Sequence, residues 1–345
     1  MVSMSLTFNF LPIDQIVSGE GSVESIVNLI GREDAERTVI ITSRSVSRTS
    51  FFRKLEDALP GATVYSNISQ HSPIEEIDYV VNQTGKKNVK FFVSVGGGSV
   101  IDSTKVIRSK VDPEIPQVAI PTTLSAAEFS HIAGFSEEGE KRGIKGKNLV
   151  PRYIFLDPEA TLETPIELWR STGIRSLDHA IEATLGGGFV DMRVLFSTLS
   201  VKLLFENLTG NKLENRRECQ VASWYSYVDV YDSPMGYSHQ IGKVIGARWK
   251  IPHGITSCIT LPEMLRFYSS SPPEGLSKLA ISITGEKSEK KAVENLARTV
   301  DDFIVGMSLK RRLSDYGIVE ENIQFIAEKI GRKDEIFMEH LRNLL

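Results

Sequence analysis

The chain has 345 residues, 41% hydrophobic and 24% charged, with a formal net charge of −4, which suits two ordinary domains and gives no electrostatic case for nucleic acid. Its two cysteines, Cys219 and Cys258, are too few for a disulfide framework and fit a reducing compartment. Met1–Pro12 lacks the basic and apolar regions of a secretory signal, and no apolar run approaches the ~18 residues of a membrane span, so a cytoplasmic protein with no membrane partner is expected.

Gly19-Glu20-Gly21-Ser22 reads as a turn and Val23 to Leu29 as a short amphipathic helix. Thr38 to Thr42 is a strand, Phe51 to Leu59 carries helical spacing, and Ala62 to Tyr65 is the next strand. Pro73 starts a helix running to about Thr84, followed by a strand at Phe91 and another at Val118-Ala119-Ile120, closed by Pro121-Thr122-Thr123. Tyr153 to Leu156 is the last clear strand, and Pro158 marks a boundary. Strands alternating with helices imply parallel pairing through right-handed crossovers, hence a doubly wound sheet whose ligands bind beyond the carboxyl ends of its strands. From about 165 to 345 the periodicity is helical with little strand alternation, and Glu321 to Leu345 reads as an amphipathic helical tail. The expectation is an α/β domain over 1–158 and an all-α domain over 159–345, with a cleft between them.

The stretch Phe91-Phe92-Val93-Ser94-Val95-Gly96-Gly97-Gly98-Ser99-Val100-Ile101-Asp102-Ser103-Thr104-Lys105 organises the first half. A buried strand runs into three glycines and a helix start. Such a junction aims backbone N–H groups at one spot, and the helix N-terminus adds partial positive charge. A plain strand–turn–helix connection needs one glycine or two; three in a row, followed by Ser99 and Asp102, predict a phosphate-bearing ligand. Ile101 stands where the third glycine of Gly-x-Gly-x-x-Gly would be, and the P-loop ending is absent.

In the helical half, Arg175 and His179 are four apart on one predicted helix face, His239 and Lys243 repeat that spacing, and Ile251-Pro252-His253-Gly254 follows. A lone histidine is more often structural than a ligand, and spacing alone leaves both readings of these three open.

Gly96-Gly97-Gly98-Ser99-Val100-Ile101-Asp102-Ser103-Thr104-Lys105, Ile120-Pro121-Thr122-Thr123, Leu156-Asp157-Pro158, Asp178-His179-Ala180-Ile181-Glu182-Ala183 and Ile251-Pro252-His253-Gly254 with Leu261-Pro262 together resemble the iron-containing alcohol dehydrogenase family, over nearly the whole chain and in order. The compact length and the Thr122–Glu128 segment look most like its maleylacetate reductase branch. The resemblance implies a dinucleotide-binding domain, a helical catalytic domain, and hydride transfer between NAD(P)H and a carbonyl or alcohol. It places Gly97, Gly98, Ser99 and Asp102 along the cofactor's pyrophosphate and nicotinamide, and Thr122, Thr123, Ser130 and Lys141 at further cofactor positions. Strand-end capping is the plainer reading of the threonines. His179, His239 and His253 match the family's metal-binding histidines. Arg175, however, stands where the family has an aspartate, and Lys243 where it has a further histidine.

A guanidinium in place of a carboxylate ligand puts two cations together, so iron or zinc is expected to be absent, although three imidazoles could in principle hold Zn²⁺. Arg175 or Lys243 would then polarise the carbonyl and His239 or His253 deliver the proton; alternatively Arg175 simply pairs with Asp178 or Glu182. Ser43 and Arg44 close the first long strand where an acid would select NAD, so NADP is admissible. Excess cations, with Arg248 and Lys250 nearby in sequence, point to an anionic small-molecule substrate such as a keto acid. The expected assembly is a homodimer. A catalytically silent nucleotide-binding oligomer and a sugar-phosphate cyclase of the same fold are the competing readings.

Overall fold

The computed structural model describes residues 8–85, 88–138, 140–187, 189–228 and 235–345. They divide into two compact units, one of residues 10–165 with 211–221, the other of residues 166–210 and 222–345 with the described residues 8 and 9.

In the first unit the elements run β1 (Gln15–Ser18), α1 (Ser22–Ile30), β2 (Thr38–Thr42), α2 (Ser50–Ala58), β3 (Thr63–Tyr65), α3 (Ile74–Thr84), β4 (Phe91–Gly96), α4 (Gly98–Val111), β5 (Gln117–Pro121), β6 (Ile132–Glu137), β7 (Glu140–Lys145) and β8 (Tyr153–Leu156). Six strands form an all-parallel sheet in the order β1-β8-β5-β4-β2-β3. Every residue of β2 and β5 is buried, as a sheet covered on both faces requires. The period-two alternation sorts the side chains into two cores. Ile40, Val93, Val95, Val118 and Ile120 pack with Ile26, Phe51, Phe52 and Leu55 on one face. Val39, Ile41 and Phe92 pack with Ile77, Val80, Val106 and Ile107 on the other.

Two features differ from expectation. The sheet gains β1 at its edge, four residues of which none is fully buried. Between β5 and β8 lies an antiparallel hairpin, β6 with β7, whose second strand, Glu140-Lys141-Arg142-Gly143-Ile144-Lys145, is almost wholly exposed. A strand that buries neither face carries no apolar alternation to read.

The second unit contains α5 (Ile166–Ala183), α6 (Val190–Asn207), the end of α7 (Leu213–Tyr225), α8 (Tyr237–Trp249), α9 (His253–Ser269), α10 (Glu274–Thr284), α11 (Glu289–Gly306), α12 (Glu320–Ile330) and α13 (Glu335–Arg342). α9 packs against α5, α8 and α11. Its start lies so close to α5 that a Cβ on Gly254 would stand 2.6 Å from the Ser171 carbonyl carbon, which is why glycine follows His253. The expected single C-terminal tail is two helices, divided where Gly331 adopts φ +79°.

Candidate functional site

α5 buries a polar stripe beside its apolar residues Trp169, Ile174, Leu177 and Ile181. Arg175, Asp178, His179 and Glu182 follow one another at helical spacing and are all buried. α8 contributes His239 and Lys243, and α9 contributes His253 and Ser257. The two segments where sequence reading placed chemistry therefore meet α5 in one cluster.

Arg175 donates from Nη1 to Ser257 Oγ at 3.0 Å, lies 3.5 Å from Asp178 Oδ2, and places Nη2 3.0 Å from His253 Nε2. A guanidinium only donates, so the His253 lone pair is turned toward Arg175. Asp178 Oδ2 accepts from Ser257 Oγ at 2.6 Å and lies 3.2 Å from His239 Nδ1. Glu182 accepts the Ser238 backbone N–H on Oε1 at 2.7 Å; its Oε2 lies 2.7 Å from His239 Nδ1 and accepts the His239 backbone N–H at 3.3 Å. The His179 ring lies against that of His239, centroids 4.7 Å apart and planes tilted by 30°, and meets Tyr227 edge-on at 5.0 Å.

Burial lowers Arg175, opposed by Asp178 and Glu182. Burial alone would raise Asp178, but His239 and Arg175 outweigh it and hold the carboxyl below its usual range. Glu182 is raised, by burial and then by the charge of Asp178. Burial, reinforced by His239 and Arg175, holds His179 well below its usual range, so it is neutral at pH 7. Lys243 keeps much of its surface exposed yet is lowered, by loss of solvent and then by Arg175. Four buried polar atoms of the cluster have no hydrogen-bond partner among the described residues: Arg175 Nε, Asp178 Oδ1, His179 Nδ1 and His239 Nε2. Buried polar groups are normally satisfied, so this concentration of unpartnered atoms sets the cluster apart.

The first unit holds the other set. Gly96 leaves β4 at φ +157°, and α4 begins at Gly98 with Gly97 in the capping position and no side-chain cap. A Cβ on Gly97 would lie 3.1 Å from Thr123 Cγ2, and one on Gly98 would lie 3.0 Å from Ser125 Oγ, so the loop and the segment after β5 are in close register. Thr122 and Thr123 are buried, and Thr123 Oγ1 has no partner among the described residues. Thr122 accepts on its carbonyl from Thr164 Oγ1 at 2.8 Å. Ser99 Oγ accepts the His71 N–H at 3.1 Å, and Ser130 Oγ accepts the Ile132 N–H at 3.1 Å. Asp102 is fully engaged inside the protein: Oδ2 accepts the Gly134 N–H at 3.0 Å and Oδ1 meets Lys105 Nζ at 3.1 Å. Lys141 is an exposed residue of β7 opposite Ser136. Ser43 follows β2 directly and its Oγ serves the turn, 3.1 Å from Ser45 Oγ and accepting the Val46 N–H at 3.4 Å, while Arg44 is exposed.

Sequence reading gave Ser257 and Lys105 no role. Lys105 is wholly buried and donates to Ala127 O at 2.6 Å, Ile132 O at 2.9 Å and Asp102. Its position three residues after Asp102 was the available signal. Arg248, by contrast, lies 4.3 Å over the Phe325 ring and is a surface packing residue.

Comparison with known proteins agrees with this layout. Residues 14–158 match the family model described as iron-containing alcohol dehydrogenase, and residues 170–343 match that of the Fe-containing alcohol dehydrogenase family, C-terminal. The chain is 23% identical over 319 residues to a maleylacetate reductase of Rhizobium sp., covering 91% of this chain and 88% of that protein. It is 22% identical over 355 residues to an NAD-dependent methanol dehydrogenase of Bacillus methanolicus, covering 94% and 93%. Among solved structures, an alcohol dehydrogenase from Oenococcus oeni superposes with a TM-score of 0.88 at 20% identity over 98% of this chain and 100% of that one.

Proposed function

Because the chain belongs to the iron-containing alcohol dehydrogenase family, whose members are oxidoreductases, we propose that it reduces a small keto acid with NAD(P)H. The observation that carries this reading is the buried Arg175 guanidinium, within 3.0 Å of His253 Nε2 where the family has a carboxylate. A guanidinium grips a carboxylate in a bidentate fork, and the Lys243 ammonium adds a second positive charge at the cluster.

The same residue bears on the metal. Of the three histidines matched to the family's ligands, His253 already turns its Nε2 toward Arg175, and a divalent cation would have to sit beside that fixed cation. Asp178, Glu182 and His239 bring potential ligand atoms within 4.8 Å of one another. His239, with Nδ1 on Glu182 Oε2 at 2.7 Å, keeps Nε2 for coordination, so it is Arg175 beside His253 that counts against a cation. The donor set does not suit iron or zinc, and no step here uses one.

The cofactor suits the first unit better. The uncapped start of α4 and the unpartnered Thr123 Oγ1 beside Gly97 are what a pyrophosphate would engage, with Gly97, Gly98, Ser99 and Thr122 around it. When bound, NAD(P)H supplies the hydride. No acid follows β2, so Ser43 and Arg44 leave room for the 2′-phosphate of NADP. Arg175 and Lys243 stabilise the negative charge that grows on the carbonyl oxygen, and an imidazole of the cluster delivers the proton.

Turnover of keto acids against matched neutral ketones and aldehydes, with wild type and Arg175→Ala, tests this. Wild type should prefer the acids. Arg175→Ala should lose roughly 3 kcal/mol or more of transition-state stabilisation for the acids and much less for neutral carbonyls. Equal turnover of both classes, or full activity appearing only after iron is added to metal-stripped protein, would overturn it.

A further inference from the structure

His253 meets Arg175 directly and His239 reaches it through Asp178, and the two differ in what holds them. We infer that Glu182 and Asp178 are positioning residues that clamp His239 through Nδ1–H, so that its Nε2 is the nitrogen presented to the substrate oxygen and His239 is the proton donor of the reaction. This rests on the reductase reading above.

Carboxylates only accept, so a nitrogen lying 2.7 Å from Glu182 Oε2 and 3.2 Å from Asp178 Oδ2 must carry the hydrogen. The ring's other nitrogen, Nε2, is then the one left to act. It is buried and has no partner among the described residues. His253 is the reverse case, with its Nε2 spent on Arg175 Nη2 at 3.0 Å. The clamp is itself braced. Glu182 cannot turn away, because Oε1 accepts the Ser238 N–H at 2.7 Å, and a Cβ on Gly236 would stand 2.5 Å from the same oxygen. Asp178 is held by the Ser257 hydroxyl at 2.6 Å, and Ser257 in turn accepts from Arg175 at 3.0 Å. The substrate-gripping cation and the proton donor are therefore linked through one hydroxyl and one carboxylate.

In the reduction, His239 enters as the imidazolium, with a proton on each nitrogen; the carbonyl carbon accepts the hydride, the oxygen takes the Nε2 proton, and the product is the hydroxy acid. His239 is left as the Nδ1–H tautomer, the form its two carboxylates hold, and a proton taken up from solvent onto Nε2 restores the imidazolium. No ring flip or tautomer exchange is needed in the cycle.

Glutamate is required because N–H donors converge on both of its oxygens. In Glu182→Gln one of them, the Ser238 N–H or the His239 side, must face an NH₂ group whichever way the amide turns. Two-bond ¹H–¹⁵N spectra of the full-length ¹⁵N-histidine protein, with His239 assigned from His239→Gln, report which nitrogen carries the proton at a fixed pH. The expected wild-type signal is a neutral ring protonated on Nδ1 alone, with Nε2 protonated only in the imidazolium. Glu182→Gln should populate the Nε2–H form and lower kcat for a keto acid tenfold or more with KM within about twofold. Glu182→Asp, which keeps the charge, should retain the wild-type tautomer. A wild-type Nε2–H tautomer, or a folded Glu182→Gln protein with unchanged tautomer and kcat, overturns the assignment. Absence of any wild-type carbonyl reduction beside the expected tautomer would instead overturn the reductase reading and leave the clamp standing.

Discussion

Glu128 lies in the segment that also carries Thr122, Thr123 and Ser130. It is 1% exposed, and its Oε2 has no partner among the described residues. Burial pushes its carboxyl from 4.5 up to about 7, against the pull of its own backbone N–H and of Lys105. Between those two values the folded chain holds a proton that the unfolded chain has released, so stability falls as pH rises. The favourable contribution is complete below about 4.5 and gone once pH passes about 7. At ~1.4 kcal/mol for each tenfold change in proton affinity, the loss amounts to about 3 kcal/mol by pH 8. Glu128→Gln keeps the shape and removes the titration. Lys105 keeps its donations to Asp102, Ala127 O and Ile132 O. Variant and wild type should therefore match near pH 5 and diverge to about 3 kcal/mol in the variant's favour at pH 8. Amide hydrogen exchange of β4 and α4, followed from pH 5 to 8, reads this unit without requiring both units to unfold together. Parallel stability profiles for the two proteins would refute the reasoning.

The Gly97→Val variant puts a branched carbon where even a Cβ is 3.1 Å from Thr123 Cγ2; NAD(P)H binding followed by fluorescence should weaken at least tenfold, ~1.4 kcal/mol, and an unchanged titration of the folded variant would remove the loop from the cofactor site. Lys105→Met strands the Asp102 carboxylate and two carbonyls and should cost about 3–5 kcal/mol in denaturant unfolding; a loss under about 1 kcal/mol would mean these bonds do not hold α4 to the hairpin. Ser43→Asp should lower the NADPH-to-NADH ratio of kcat/KM about tenfold by like-charge repulsion with the 2′-phosphate, and a ratio that stays put would show that the end of β2 does not read the ribose.

The parallel sheet was legible because β2, β4 and β5 are buried on both faces and read as apolar runs bounded by Gly and Pro. β7 was not, since its exposed charged residues resemble a loop; what holds the hairpin to α4 is Asp102 on the Gly134 N–H and Lys105 on the Ile132 carbonyl, pairings across some thirty residues. In the helical unit, spacing brought Arg175 and His179 together, and Asp178 and Glu182 stood in view as partners for Arg175. That both carboxylates converge on His239 could not be read, because it depends on how α8 crosses α5. Ser257 was invisible for the same reason: a serine on a buried helix has no pattern of its own, and its meaning comes from the carboxylate it meets.

The strand order of the sheet constrains how the chain reaches its native state. β5, β4, β2 and β3 can assemble once residue 121 exists, but β1 has its place only beside β8, with Gln15 opposite Tyr153. The start of α1 waits equally long, since the Ser22 N–H and hydroxyl both donate to Asp157 Oδ2 at 2.8 Å, a partner 135 residues downstream. At ribosomal speeds that interval is on the order of ten seconds, during which an unpaired strand end and an uncapped helix coexist on the nascent chain. Contacts of such sequence separation close late and slowly. Asp157 thus acts as the latch of the first unit: the residue whose synthesis allows the earliest segment of the chain to stop searching.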